Sequence, residues 1–280
     1  MTDPVPTDIT FVHLTDLHLS PNAESLINGQ SPSRKVERVL NRIQAMEIDP
    51  RFVLITGDLV DGGMPDEYRQ LQHILAKFQD LNAPILMGLG NHDNRTVFRK
   101  EILGETPGIT SDPYYHSQEI GGVNVIMLDS HIPGKVTGFL DDEQLSWLDQ
   151  ELAKPMLHGH IIAIHHPPVP CTVELFNKLG LENPDALAAI VHCHTNVLGI
   201  LSGHIHYSHV VGFANTISVT TPAVLYTVDP GVQQNLRLLN GSGFAIGTVH
   251  RGRLMMNTVM ISDDEEEIAY REIDFATLDL

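Results

Sequence analysis

The chain has 280 residues, 42% of them hydrophobic and 19% charged, enough for a sizeable core in one large domain or two ordinary ones. Its 17 basic residues face 35 acidic ones, a net charge of -18, which excludes a broad surface for long nucleic acids, because such a surface needs clustered Lys and Arg. No run of roughly 18 or more apolar residues occurs, so no membrane span is expected.

The start, MTDPVPTD, lacks the basic and apolar regions of a secretory signal, and Cys171 and Cys193 share no motif; a cytoplasmic protein with free thiols is expected. In chain order, residues 9–14 (ITFVHL) read as a buried strand followed by a Pro-, Asn- and Ser-rich loop. Residues 33–47 read as a helix with Val36, Val39, Leu40, Ile43 and Met46 on one face. The basic positions within 34–42 (RKVERVLNR) fall on its solvated side. A second strand over 52–56 (FVLIT), a helix over 65–81 opened by Pro65 and a third strand over 84–89 (PILMGL) follow. Then come a strand over 123–128, a helix over 141–153, a strand over 161–164 and a helix over 184–191. This alternation predicts a largely parallel core with helices outside.

Beyond about residue 197 the runs 198–201, 210–213, 216–220, 224–228, 244–249 and 254–260 are short and separated by Gly, Asn and Pro. They predict antiparallel strands with hairpins. Both patterns fit one α/β domain over 1–262, a mixed sandwich of two sheets flanked by helices. The remainder, 263–280, opens with DDEEE and reads as a solvated acidic tail.

Polar motifs stand where apolar strands stop: Asp16-Leu17-His18, Gly57-Asp58-Leu59-Val60-Asp61, Gly90-Asn91-His92-Asp93, His165-His166-Pro167-Pro168 and Gly203-His204-Ile205-His206. Singly, several of these are ordinary turn chemistry. Together, at the C-terminal edges of a parallel sheet, they converge on the side where ligands bind. Two carboxylates, one amide and four imidazoles form a mixed oxygen and nitrogen donor set that suits Mn²⁺, Fe, Zn²⁺ or Co²⁺. Seven donors exceed what one tetrahedral ion uses and suit two ions about 3.5–4 Å apart sharing a carboxylate.

In this order the five motifs resemble those of the calcineurin-like metallophosphoesterases. Leu128-Asp129-Ser130, Pro133-Gly134, Gly138, Gln144-Leu145-Ser146-Trp147-Leu148 and His165 through Pro170 further resemble the bacterial class III cyclic-nucleotide phosphodiesterases, a group that also holds glycerophosphodiesterases. The resemblance implies a four-layer αββα metallophosphoesterase sandwich. It implies one metal on Asp16, His18 and His206, a second on Asn91, His165 and His204, and Asp58 as the bridge. Metal-bridged hydroxide would attack phosphorus in line. His92 would stand beside the leaving group, Asn91 would also orient a phosphate oxygen, and Asp93 would hold His92. His166 and Asp61 take supporting places. The implied activity is hydrolysis of small phosphodiesters, cyclic AMP or cyclic GMP foremost, by a homo-oligomer without nucleic-acid or membrane partners. The alternatives are a glycerophosphodiesterase, a broad phosphoesterase, or, in a different class, a metal-free scaffold.

Other side chains of tempting type receive plainer readings. His192-Cys193-His194 follows a helix and belongs to no strand-end motif; His13 lies inside the first strand; Cys171 has no adjacent base. The loop 167–183 is expected to wall the substrate pocket, with Tyr207 and Thr220-Thr221-Pro222 as further candidates to reach it.

Overall fold

A strand buried on both faces carries an unbroken apolar run, with alternate side chains feeding two different cores. The computed structural model, which describes residues 8–106 and 108–262, builds its two large sheets on such runs. In β1 (Asp8–Leu14), Ile9 and Phe11 face one core while Val12 and Leu14 face another. The same split recurs in β2 (Val53–Thr56), β5 (Val123–Met127) and β6 (Gly159–Ala163).

The first sheet runs β13-β12-β1-β2-β3, completed by β3 (Ile85–Gly88), β12 (Ser242–His250) and β13 (Arg253–Ile261). The second runs β4-β5-β6-β7-β9-β8, completed by β4 (His116–Ile120), β7 (Val197–Ser202), β8 (His209–Phe213) and β9 (Thr216–Thr220). A core of Phe11, Phe52, Leu54, Val125, Ile161 and Leu201 joins the sheets. Helices α1 (Pro32–Gln44), α2 (Pro65–Phe78) and α3 (Arg95–Glu101) belong to the first sheet, with Val36, Leu71 and Phe98 in its outer core. Helices α4 (Asp142–Leu152) and α5 (Pro184–Cys193) cover the second, through Leu148 and Leu187. The result is the expected four-layer αββα sandwich.

Several local expectations need correction. Strand β7 is parallel to both its neighbours, β6 and β9, because α5 carries the chain back to the starting edge in one more crossover unit. The run 224–228 is not a strand over most of its length. Val224 and Leu225 give their amides to the carbonyls of Thr15 and Asp16, and only β10 (Thr227–Val228) pairs, with β11 (Leu238–Leu239). The helix expected to reach residue 81 ends at Phe78 and tightens into a 3-10 turn over Gln79–Leu81. Helix α3 and strand β4 were not expected; β4 turns into β5 at Gly121-Gly122, both with positive φ, a two-residue hairpin. The acidic tail at 263–280 lies outside the described residues, among which no helix is long and apolar enough to cross a membrane.

Candidate metal centre

The loops after β1, β2, β3, β6 and β7 leave the C-terminal ends of parallel neighbours and meet at one place. They are tied by backbone before any side chain is considered. Asp16 and His18 donate amides to the carbonyls of Gly57 and Asp58, and Gly203 donates to His165. Two glycines permit this approach: a Cβ on Gly90 would strike the Asp58 carboxylate, and one on Gly203 would strike Thr15 and Asp16. Nine non-glycine residues have positive φ among the described residues, and five of them are Asp16, His18, Asp58, His204 and His206. Left-handed backbone at such residues costs on the order of 1–3 kcal/mol each and concentrates where function demands it.

The side chains then converge. Asp58 Oδ2 lies 3.6 Å from His18 Nε2 and 3.4 Å from His165 Nε2. On one side of it, His206 Nε2 is 3.3 Å from Asp16 Oδ1 and 3.3 Å from His18 Nε2. On the other, His165 Nε2 is 3.2 Å from Asn91 Oδ1, and His204 packs its ring 5.1 Å from that of His165. Groups able to hold a cation include Asp16 with His18 and His206, Asp16 with Asp58 and His165, and His165 with His166 and His204.

Outer hydrogen bonds decide which ring nitrogen faces inward. His165 Nδ1 donates to Thr56 O at 2.8 Å, His206 Nδ1 to Tyr226 O at 3.1 Å, and His18 Nδ1 to Asp61 Oδ1 at 3.1 Å. Each ring thereby turns its Nε2 inward, where the neutral form offers a lone pair. His204 is reversed: its Nε2 donates to Leu179 O at 3.0 Å, which leaves Nδ1 for the site. With neutral rings the centre sets acceptor against acceptor, His18 Nε2 facing His206 Nε2 and His165 Nε2 facing Asn91 Oδ1. Such pairs repel unless positive charge lies between them. Asp16 and Asp58 are buried and have only imidazoles as ion-pair partners among the described residues. Burial opposes charge on His165, yet Asp58 and Asp16 lift its pKa to about 9. Burial likewise opposes ionisation of Asp58, but His165 and His18 hold it well below the usual carboxylate range. All of this fits a cation-binding donor set.

His166 stands apart despite its proximity. Its Nδ1 is 2.7 Å from Ser130 Oγ and its Nε2 2.9 Å from Val136 O, so both nitrogens are committed. His13 is equally satisfied, between Thr56 and Thr221. His194 pairs with Asp149, and the 192–194 segment enters none of the metal-holding groups among the described residues.

One expected contact is replaced by others. Asp93 does not hold His92. Its carboxylate accepts from the amides of Gly90 (2.9 Å) and Leu59 (3.1 Å) and from the Tyr68 hydroxyl (3.1 Å), and so fastens the Asp58 loop to the Asn91 loop. His92 Nδ1 instead donates to the Asp61 carbonyl at 2.6 Å, and the His92 amide donates to Asp58 Oδ1 at 2.9 Å. Burial opposes charge on His92, while Asp58 and the Asp61 carbonyl raise its pKa above the ordinary value.

The groove touching Asn91 and His92, about 350 Å³, is walled by residues 62–63, 93–96, 111, 131 and 133–134. The loop expected to form this wall, 167–183, lines a separate groove of about 290 Å³ that none of the seven donors reaches. Tyr207 holds that loop by accepting the Thr172 amide. The strand-end motifs did not single out Arg95, Asp129 and His131 as a unit. Arg95 pairs with Asp129 through bonds of 2.8 and 3.1 Å and also donates to the His131 carbonyl. A titratable residue two positions past the Asp129 strand end was the available signal for His131.

Known proteins resemble this chain in sequence and in fold. A family model described as calcineurin-like phosphoesterase matches residues 9–208. A probable cyclic nucleotide phosphodiesterase of Rhodococcus erythropolis is 38% identical over 223 residues, covering 79% of this chain and 73% of its own. A cAMP/cGMP dual specificity phosphodiesterase of Mycobacterium tuberculosis is 33% identical over 223 residues, covering 79% and 69%. A solved dimetal phosphatase from Danio rerio shares the fold with a TM-score of 0.62 at 15% identity, covering 91% of this chain and 99% of the other.

Proposed function

This chain belongs to the calcineurin-like phosphoesterase family, and on that premise we propose that it is a dinuclear metal-dependent phosphodiesterase acting on small phosphodiesters, cyclic AMP and cyclic GMP first among them. The observation that carries the reading is Asp58 Oδ2 lying between His18 Nε2 and His165 Nε2 at 3.6 and 3.4 Å, with one donor group on each side. Asp16, His18 and His206 hold one ion in this reading, Asn91, His165 and His204 the other, and Asp58 both. Mn²⁺, Fe, Zn²⁺ and Co²⁺ all accept these donors. Two such ions, when bound, supply Lewis-acid polarisation of phosphoryl oxygens and a lowered pKa for coordinated water.

The protein's own groups perform the rest. Asp16 and Asp58 bring buried negative charge, and the outer hydrogen bonds of the histidines fix which nitrogen of each ring faces inward. Asn91 directs a phosphate oxygen with its amide. His92, with Nδ1 on the Asp61 carbonyl, keeps Nε2 for the leaving-group oxygen and, as the protonated ring, there donates a hydrogen bond or proton; its side chain is 39% exposed, open to a substrate in the adjoining groove. Asp61 is a positioning residue for both His18 and His92. A cytoplasmic place is supported by two free cysteines. A homo-oligomer is part of the same reading, supported by the edge strand β13 with Met255 and Met260 exposed.

The test couples metal analysis of the purified protein to a hydrolysis screen over cyclic AMP, cyclic GMP, 2′,3′-cyclic nucleotides, glycerophosphodiesters and monoesters. Two equivalents of metal per chain and highest kcat/KM on cyclic nucleotides are expected. A preference for glycerophosphodiesters or monoesters would move the reading to those substrates. Protein without stoichiometric metal and inert on an activated aryl diester would return it to a scaffold.

A further inference from the structure

The groove beside His92 has the size of a small-molecule site, and much of its wall is small and uncharged: Gly62, Gly63, Thr96, Ser111, Pro133 and Gly134. Among the described residues, the ring side chains lining it besides proline are the imidazoles of His92 and His131. With no larger aromatic ring in that lining, hydrogen bonds are the main means of discrimination there.

His131 is 8% exposed, its Nδ1 is buried, and neither ring nitrogen has a hydrogen-bond partner among the described residues. A buried polar atom left in that condition costs about 1–3 kcal/mol. Its position is not slack. The His131 amide donates to Asp129 Oδ1 at 3.0 Å, and its carbonyl accepts from Arg95 Nη2 at 2.6 Å. Asp129 is in turn gripped by Arg95 and by the Tyr114 amide. A rigid backbone therefore holds the imidazole at the wall of the groove, where Nε2, the nitrogen not among the buried orphan atoms, is the one a ligand can reach.

We propose that His131 determines specificity by hydrogen-bonding a hydroxyl of the alcohol portion of the diester, a ribose or another polyhydroxylated leaving group seated in this groove. The inference rests on the phosphodiesterase reading and extends it from the phosphorus to the rest of the substrate. Burial holds the His131 pKa below the ordinary value, against the pull of Asp129. A neutral imidazole carries one N–H and one lone pair, which match a hydroxyl better than a phosphate. The phosphate would be held by the cations that the groups around Asp58 bind in that reading.

The experiment compares wild type, His131→Ala and His131→Asn on cyclic AMP and on bis(4-nitrophenyl) phosphate, which has no hydroxyl to recognise. Metal content and the binding of AMP and of inorganic phosphate are measured in parallel. In His131→Ala, kcat/KM on cyclic AMP should fall about tenfold, mostly through KM, as one lost hydrogen bond predicts. AMP binding should weaken by a similar factor. The aryl diester, phosphate binding and metal content should stay within about twofold. His131→Asn, which keeps a donor and an acceptor, should recover part of the loss. Equal losses on both diesters, no loss on cyclic AMP, or the same loss in both variants would overturn the proposal. A wild type that cleaves the aryl diester but not cyclic AMP also overturns it while leaving the diesterase reading standing; a wild type inert on every diester removes that reading and this one with it.

Discussion

Asp93 offers the sharpest separation between what the motif suggests and what the fold does. Adjacent to His92 in sequence, it is buried and accepts three good hydrogen bonds, from the Gly90 amide, the Leu59 amide and the Tyr68 hydroxyl. Asp93→Ala strands all three donors. At about 1–3 kcal/mol for each stranded buried donor, and with incomplete additivity, the loss is on the order of 3–6 kcal/mol. A protein of this size loses about 2–4 °C of melting temperature per kcal/mol, so a fall on the order of 10 °C is expected. Asp93→Asn keeps an acceptor toward Gly90 and Leu59 and offers its amide to the Tyr68 oxygen. It should cost only about 1–2 kcal/mol.

Thermal unfolding of the three proteins reads the stability difference. A series of diesters with leaving groups of graded pKa reads the chemistry. Because His92 is held by the Asp61 carbonyl, Asp93→Asn should lower all rates by a similar factor and leave the dependence on leaving group unchanged. If Asp93→Asn kept wild-type stability and metal content yet selectively slowed the poor leaving groups, Asp93 would be steering His92, and the structural reading of this carboxylate would be wrong.

His204→Ala and Asn91→Ala should each lower diesterase turnover by orders of magnitude with the fold retained, checked by circular dichroism and steady-state rates under metal-replete conditions; near-normal rates would count against the donor set. His92→Ala should keep both metals but slow turnover most with poor leaving groups, and uniform slowing across the series would remove it as the proton donor. The pH dependence of stability has a definite sign. Burial brings the His13 pKa down to about 3 from 6.5, so the folded state holds a neutral ring. Its contribution is fully present above pH 6.5 and is lost as pH falls from 6.5 toward 3, because the unfolded chain takes up the proton first. The drop in chelated-protein stability between pH 7 and 5 should therefore shrink in His13→Leu, measured by urea unfolding; an unchanged drop would place the acid sensitivity elsewhere.

The parts of the fold legible in the sequence were those where burial on both faces leaves a continuous apolar run. The parts that were not legible have identifiable causes. Strand β7 was read as the start of an antiparallel half because the chain beyond it is rich in short strands, yet the helix before it had already signalled one more parallel crossover. Strand β4 is a polar edge strand, with no residue fully buried, and its HSQEI carries no strand-like run. Helix α3 is seven residues long, too short for a period to emerge, although Asn94 caps it by accepting from Thr96 and Val97. The segment 224–228 has strand-like composition, but its amides are spent on the Thr15–Asp16 loop. In the site, residue types announced the donors, whereas the partners that orient them are largely main-chain carbonyls of Thr56, Leu179, Tyr226 and Asp61, and a carbonyl leaves no mark on sequence. That is why Asp93 was given the place held by the Asp61 backbone.

The left-handed donors bring these strands of reasoning together. Asp16, His18, Asp58, His204 and His206 all have positive φ in the loops just past β1, β2 and β7, and a loop that relaxed would relieve its own strain. No loop relaxes alone, because each is bonded to another: Asp16 to Gly57, His18 to Asp58, His204 to the Asp16 carboxylate, His92 to Asp58, and Leu225 back to Asp16. The geometry of the donors is therefore set by interlocked backbone anchored in two sheets. Cations entering such a site meet acceptors already in place, and their binding energy is spent on relieving repulsion between those acceptors rather than on ordering the loops.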